Sequence, residues 1–125
     1  MAEGLSQAEA IALLTDLASR ALYMKLHTGA PGAAGTANAA IETTRKLLTW
    51  DTPALVGSAV EMTHTNDLAW TGVAGSEDYT HVTFWDHVSA GNFRFSGLVT
   101  ADAVVTSDDF TLPAGAYIVR YTLAS

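Results

Sequence analysis

Apolar and polar positions change their spacing along this chain, and the change divides it into two parts. After Gln7, the residues Ile11, Leu14, Leu17, Ala18 and Ala21 recur at helical intervals, with Asp16, Ser19 and Arg20 off the stripe. That period marks one face of an α-helix. Ser6-Gln7-Ala8-Glu9 has the form of a capping box, in which Ser6 accepts from the Glu9 amide and Glu9 reaches back to the Ser6 amide. An acid early and Arg20 late suit the helix dipole. The spacing predicts a helix over about residues 7–20.

From Leu22 the period becomes two. Leu22, Met24 and Leu26 alternate with Tyr23, Lys25 and His27, the pattern of a half-buried strand. Later segments repeat it. Val60 and Met62 alternate with Ala59 and Glu61, and Val82 and Phe84 with His81, Thr83 and Trp85. Phe93 and Phe95 alternate with Asn92, Arg94 and Ser96. Tyr117, Val119, Tyr121 and Leu123 alternate with Ile118, Arg120 and Thr122. Turn-forming clusters fall at 63–67, 72–78, 89–92, 106–109 and 113–115. Short strands at this spacing predict a mainly β fold. The expectation is an antiparallel, jelly-roll-like β-sandwich over about 22–124, preceded by one N-terminal α-helix. The segment 37–50, with AIETTRKLL at its centre, fits either a short helix or a strand. At 125 residues the whole, 1–125, is expected to be a single domain.

Composition narrows the function. Charged residues make up only 15% and the net charge is −7, so part of the surface is expected to meet another subunit. The basic residues are Arg20, Lys25, Arg45, Lys46, Arg94 and Arg120, with no cluster beyond Arg45-Lys46. Phosphate neutralisation needs clustered cations, so nucleic acid and anionic membranes are not expected partners. Cysteine is absent, which removes disulfides and thiolate metal sites. The N-terminus lacks the basic-then-apolar order of a signal peptide. No apolar run approaches the ~20 residues of a membrane span.

Candidate chemistry is sparse. Leu26 to Ala39, LHTGAPGAAGTANA, resembles a nucleotide loop only at first sight. A phosphate loop needs a lysine after its last glycine, but Gly35 is followed by Thr36-Ala37-Asn38. The spacing Gly29, Gly32, Gly35 also misses the dinucleotide pattern. The segment therefore reads as an architectural or contact loop. His81 and His87 span a turn and do not make zinc spacing. Glu77-Asp78 and Asp108-Asp109 read as turn or solubilising acids. Gly57-Ser58 lacks the frame of a nucleophile elbow. No catalytic, cofactor-binding or metal-binding residue is assigned, and the chain is expected not to be an enzyme. Trp50, Trp70 and Trp85 raise a carbohydrate-stacking alternative, although aromatics at alternating strand positions are usually core. Trp85, opposite Val82 and Phe84 and beside Asp86-His87, implies that the second face of its strand is not simply solvent.

In order, these features resemble a family of small structural proteins of tailed bacteriophages, of minor tail, tail-fibre-like or head-decoration type. The segment Leu26 to Asn38 resembles the family's L-H-T-x-x-P-G. Arg45 stands at the arginine of a Y-A-R-like triplet, with Thr43-Thr44 in place of its first two residues. Thr80 to Asn92, THVTFWDHVSAGN, is similar to T-H-x-x-L-W-D-A-x-x-G-G, with Ala90-Gly91 for the double glycine. Ser107-Asp108 through Pro113-Ala114-Gly115 resembles G-D-x-x-x-x-P-A-G, with Ser107 for the glycine. The resemblance implies a non-enzymatic virion component made in the host cytoplasm. Its first reading is a capsid decoration protein that stabilises the particle, and its alternative a minor tail or tail-fibre-associated protein. A carbohydrate-binding jelly roll for host attachment stands as a second alternative. Implied partners are further copies, with a trimer as the family-type assembly on capsids, and a larger phage protein such as the major capsid protein or a tail protein. His27, Pro31, Asn38, Arg45, Trp85, Asp86 and Asn92, which lie in the matching motifs, are the expected protein-contact residues.

Overall fold

A computed structural model describes residues 4–124. Helix α1 (Gln7–Ala18) is followed by β1 (Tyr23–His27), β2 (Lys46–Leu47), β3 (Ala54–Val56), β4 (Ala59–Thr63) and β5 (Leu68–Trp70). Then come β6 (Glu77–Trp85), β7 (Phe93–Val104), β8 (Phe110–Leu112) and β9 (Ile118–Thr122). The strands form a four-stranded sheet β2-β1-β6-β7, a three-stranded sheet β3-β4-β9 and a β5-β8 pair. All pairings between these strands are antiparallel. The fold is thus mainly β and sandwich-like, with one N-terminal helix.

Ser6 caps α1, its hydroxyl accepting from the Glu9 amide at 3.2 Å. The helix ends two residues before the expected boundary. The amides of Arg20 and Ala21 both turn back to the Leu17 carbonyl, at 3.0 and 2.8 Å, and this tightened last turn feeds the chain into β1. Ala10 and Leu14 pack on Val60 and Met62 of β4. A larger cluster lies under the four-stranded sheet, where Met24, Leu26, Val82 and Phe84 meet Leu68, Trp70, Tyr79 and Phe110. Trp50 and Leu17 touch both clusters, and the Trp50 indole donates to the Ala21 carbonyl at 2.8 Å.

Several expectations change. The segment 37–50 is neither helix nor long strand: only Lys46–Leu47 forms a strand, with isolated bridges from Ala39 to His27 and from Trp50 to His64. Carboxylates have taken its amides: Glu77 accepts from Ile41 (2.9 Å) and Glu42 (3.2 Å), and Glu42 accepts from Thr44 (3.2 Å). Side-chain acceptors here replace the carbonyls a helix would use. Glu77 and Asp78 open β6 and do not sit in a turn. Tyr121, read on an inward stripe, is 38% exposed near the sheet edge. His27, read opposite the apolar stripe of a half-buried strand, is fully buried, because that second face is also covered.

Strand β7 runs for 12 residues. Its register with β6 slips between Tyr79 and His81 and again between Phe84 and Trp85. Only Phe95 to Leu98 pairs without interruption between the two slips. Gly97 lies in this stretch directly beneath the Tyr117 ring, and a Cβ there would occupy the position of the tyrosine hydroxyl. Tyr117 in turn packs on Phe84, with centroids 5.0 Å apart, and Phe84 stacks on Phe95 at 4.2 Å. Among the described residues no helix is long and apolar enough to cross a membrane.

Candidate functional site

The second face of the four-stranded sheet holds most of the residues singled out by sequence. Cross-strand pairing aligns Tyr23 with Trp85, Lys25 with Thr83 and His27 with His81, so all six share that face. The glycine-rich segment folds over it. Thr28 donates to the Asn38 carbonyl (2.9 Å), Ala37 to that of Pro31 (2.9 Å) and Gly35 to that of Gly32 (3.1 Å). The Asn38 side chain closes the loop onto the Ala30 carbonyl at 2.8 Å, from a left-handed backbone with φ 53°. Gly35, at φ 72°, lies against the Phe93 ring so closely that a Cβ would sit 2.5 Å from it. Both backbone and space demand glycine there.

Beneath the loop runs a hydrogen-bonded chain. The His27 Nδ1 lies 2.9 Å from the Ala37 carbonyl, an acceptor only, so Nδ1 carries the proton. In the neutral ring Nε2 then accepts from the Thr83 hydroxyl at 2.8 Å. Thr83 in turn accepts from the Trp85 indole at 2.7 Å. Burial holds the His27 pKa below its ordinary value, and the positive charge of Lys25 adds to this against the pull of the Ala37 carbonyl. The neutral tautomer is the one the chain of bonds needs. Thr83 was missed by sequence reading, because a lone threonine between Val82 and Phe84 has no signature of its own.

At the end of the same sheet, Arg45 covers Trp85, its guanidinium carbon 4.2 Å from the ring centroid. Its Nη1 donates to the carbonyls of His87 (2.9 Å) and Ala90 (2.7 Å), clamping the β6–β7 turn. Asp86 fastens the turn from within, accepting from the Asn92 amide (2.7 Å), the Asn92 side chain (2.9 Å) and Arg94 (2.7 Å). These donors, the Asn92 amide foremost, hold the Asp86 carboxyl well below the usual carboxylate range. Gly91 has φ 73° and packs tightly against Asp86 and His87. Arg94 is the second residue missed: it supplies the ion pair with Asp86.

The structure therefore brings Arg45, Trp85, Asp86 and Asn92 into one turn and ties His27 to them through Thr83. Pro31 and Asn38 belong to the covering loop. Asn38 and Asn92 are exposed, Arg45 and Asp86 half-buried, and His27, Pro31 and Trp85 buried. The tryptophans do not form an open stacking surface. Trp70 and Trp85 are 1% and 7% exposed, and every indole N–H bonds internally, that of Trp70 to the Thr44 carbonyl at 2.8 Å.

A separate cavity of about 270 Å³ is lined by Glu42, Thr44, Lys46, Trp70, Thr71 and Gly72. Burial opposes ionisation of Glu42, but the Thr44 and Ala74 donors, with Lys46, outweigh it and lower its pKa. Nearby, burial and the charges of Glu77 and Glu42 push the Tyr79 hydroxyl up to about 12. Among the described residues no group of three or more His, Asp or Glu side chains is placed to hold a metal ion. What the arrangement does chemically is brace a loop and a turn.

A family model described as "Podophage GP4 fiber I protein gp80" matches residues 14–120, most of the 125-residue chain. No curated protein matches significantly.

Proposed function

Because the chain belongs to the podophage GP4 fiber I protein gp80 family, we propose that it is a structural part of a tail fibre, working through protein–protein contacts. Membership makes it a phage structural protein and a component of the virion. Between the two roles weighed from sequence, the family's description favours the fibre over capsid decoration. That match over residues 14–120 is the observation that carries the reading. The braced loop and turn agree with it, since both hold exposed polar groups on a rigid support. We assign the contacts with other virion proteins to the exposed parts of that region, Asn38 and Asn92 with the rims of Arg45 and Asp86. The partners would be a larger tail or fibre protein and further copies of the chain.

Electron microscopy of particles labelled with antibody against this chain tests the assignment. Label on fibres at the tail vertex is the expected result. Label spread evenly over capsid faces would return the protein to a decorating role.

A further inference from the structure

Charge is divided between the two ends of the four-stranded sheet. At the end where β1 begins and β6 stops lie Arg20, Arg45, Lys46 and Arg94, with Lys25 one row in. The acids there, Asp16 and Asp86, are already paired with Arg20 and Arg94. Among the described residues, Lys25, Arg45 and Lys46 form no ion pair. Lys46 lines the cavity together with Glu42, whose ionisation its charge favours.

At the opposite end, where β6 begins and β7 finishes, lie Glu77, Asp78 and Asp102, followed by Asp108 and Asp109 in the next turn. None of these five carboxylates is in an ion pair among the described residues. Glu77, Asp108 and Asp109 accept backbone amides, while Asp78 and Asp102 are exposed. The sixth base, Arg120, sits on the other sheet and pairs with Glu61.

Each end also carries exposed apolar residues. Val88 (51%) and Leu47 (56%) stand at the basic end, and Val105 (62%) at the acidic end. The nine residues of β6 separate the ends by eight steps of about 3.3 Å, roughly 26 Å. That is about three Debye lengths at physiological salt, so the two ends barely feel each other within one molecule. Across a contact they would.

We propose that copies of this chain associate head to tail, the acidic end of one seating on the basic end of the next. Val105 and Val88 lie at the centre of the contact, and Asp78 and Asp102 face Arg45 and Lys46. Such a heterologous contact repeats from copy to copy, as an open row or a ring according to the rotation between neighbours. It deepens the fibre reading, but the test uses purified protein, so its failure would leave the family assignment untouched.

Light scattering and sedimentation of the full chain at millimolar concentration test it, at about 0.02 M and about 0.5 M salt. The mean mass should exceed twice the 13.1 kDa of one chain in low salt and return to it in high salt. An acid-end variant, Asp78→Lys with Asp102→Lys, changes the net charge from −7 by +4 to −3. A base-end variant, Lys46→Glu with Val88→Glu, changes it by −3 to −10. Each alone should stay monomeric. Mixed, they retain one intact acidic and one intact basic end, and should form heterodimers and nothing longer. A monomeric wild type at low salt, or a mixture without heterodimers, overturns the proposal. So does stronger association of the acid-end variant, which would mean that overall repulsion governs. Circular dichroism and melting of each variant separate a lost contact from a lost fold.

Discussion

Replacing Thr83 by valine keeps the shape of a fully buried strand residue and removes one hydroxyl. That hydroxyl is the middle of the bond chain from the Trp85 indole, 2.7 Å away, to the His27 Nε2, 2.8 Å away. Thr83→Val would leave a buried donor and a buried acceptor without partners, since His27 and Thr83 are 0% and Trp85 7% exposed. Each orphaned group costs about 1–3 kcal/mol, less a fraction recovered from the added methyl, so the net loss is about 3 kcal/mol. For a chain of this size that lowers Tm by on the order of 10 °C. Urea unfolding followed by tryptophan fluorescence should show the midpoint falling with the slope unchanged. Thr83→Ser, which keeps the hydroxyl, should cost about 1 kcal/mol, as for one lost methyl. If valine proves no worse than serine, the bond chain does not hold the loop and the tautomer assignment falls with it.

Gly97→Ala should cost about 1–3 kcal/mol by overpacking, because the new Cβ must push Tyr117 off Phe84; a shift of the urea midpoint and of the tyrosine near-ultraviolet signal would report it. His27 binds a proton less readily folded than unfolded, so stability should decline as pH falls below the reference value of 6.5 and level off below the folded value. Unfolding midpoints measured against pH in wild type and His27→Gln check this, the variant losing less in acid. Asp86→Asn weakens the bonds that fasten the β6–β7 turn. Hydrogen exchange should then quicken at the Asn92 amide while the amide of Val60 in the other sheet keeps its protection.

The helix and most strands were legible because their apolar periods are regular and their partners lie inward. Ser6 and Glu9 announced the helix start, and Val82 with Phe84 announced β6. The extended course of 37–50 was hidden, because it depends on Glu77, more than 30 residues away, accepting the Ile41 and Glu42 amides. Of the candidate site, Arg45, Trp85, Asp86 and Asn92 could be picked out from the motifs. Their meeting in one turn could not, since Arg45 reaches the Ala90 carbonyl across 45 residues. Thr83 and Arg94 escaped notice for a related reason. One looks like an ordinary strand threonine and the other like an ordinary surface base, and only the fold shows what each one bonds. The burial of His27 followed from a cover that no local pattern encodes, a loop rich in glycine returning over its own strand.

The two register slips in β7 bear on how the protein behaves when crowded. A long outer strand, evenly paired throughout and with Leu98 71% exposed, would be a template for runaway zippering into amyloid-like ribbons. Register slips on either side leave Phe95 to Leu98 as the longest evenly paired run, shorter than the six or seven residues such ribbons need. Concentrated solutions of the native protein should therefore stay free of thioflavin-positive aggregates, and the irregularities of that strand are its safeguard.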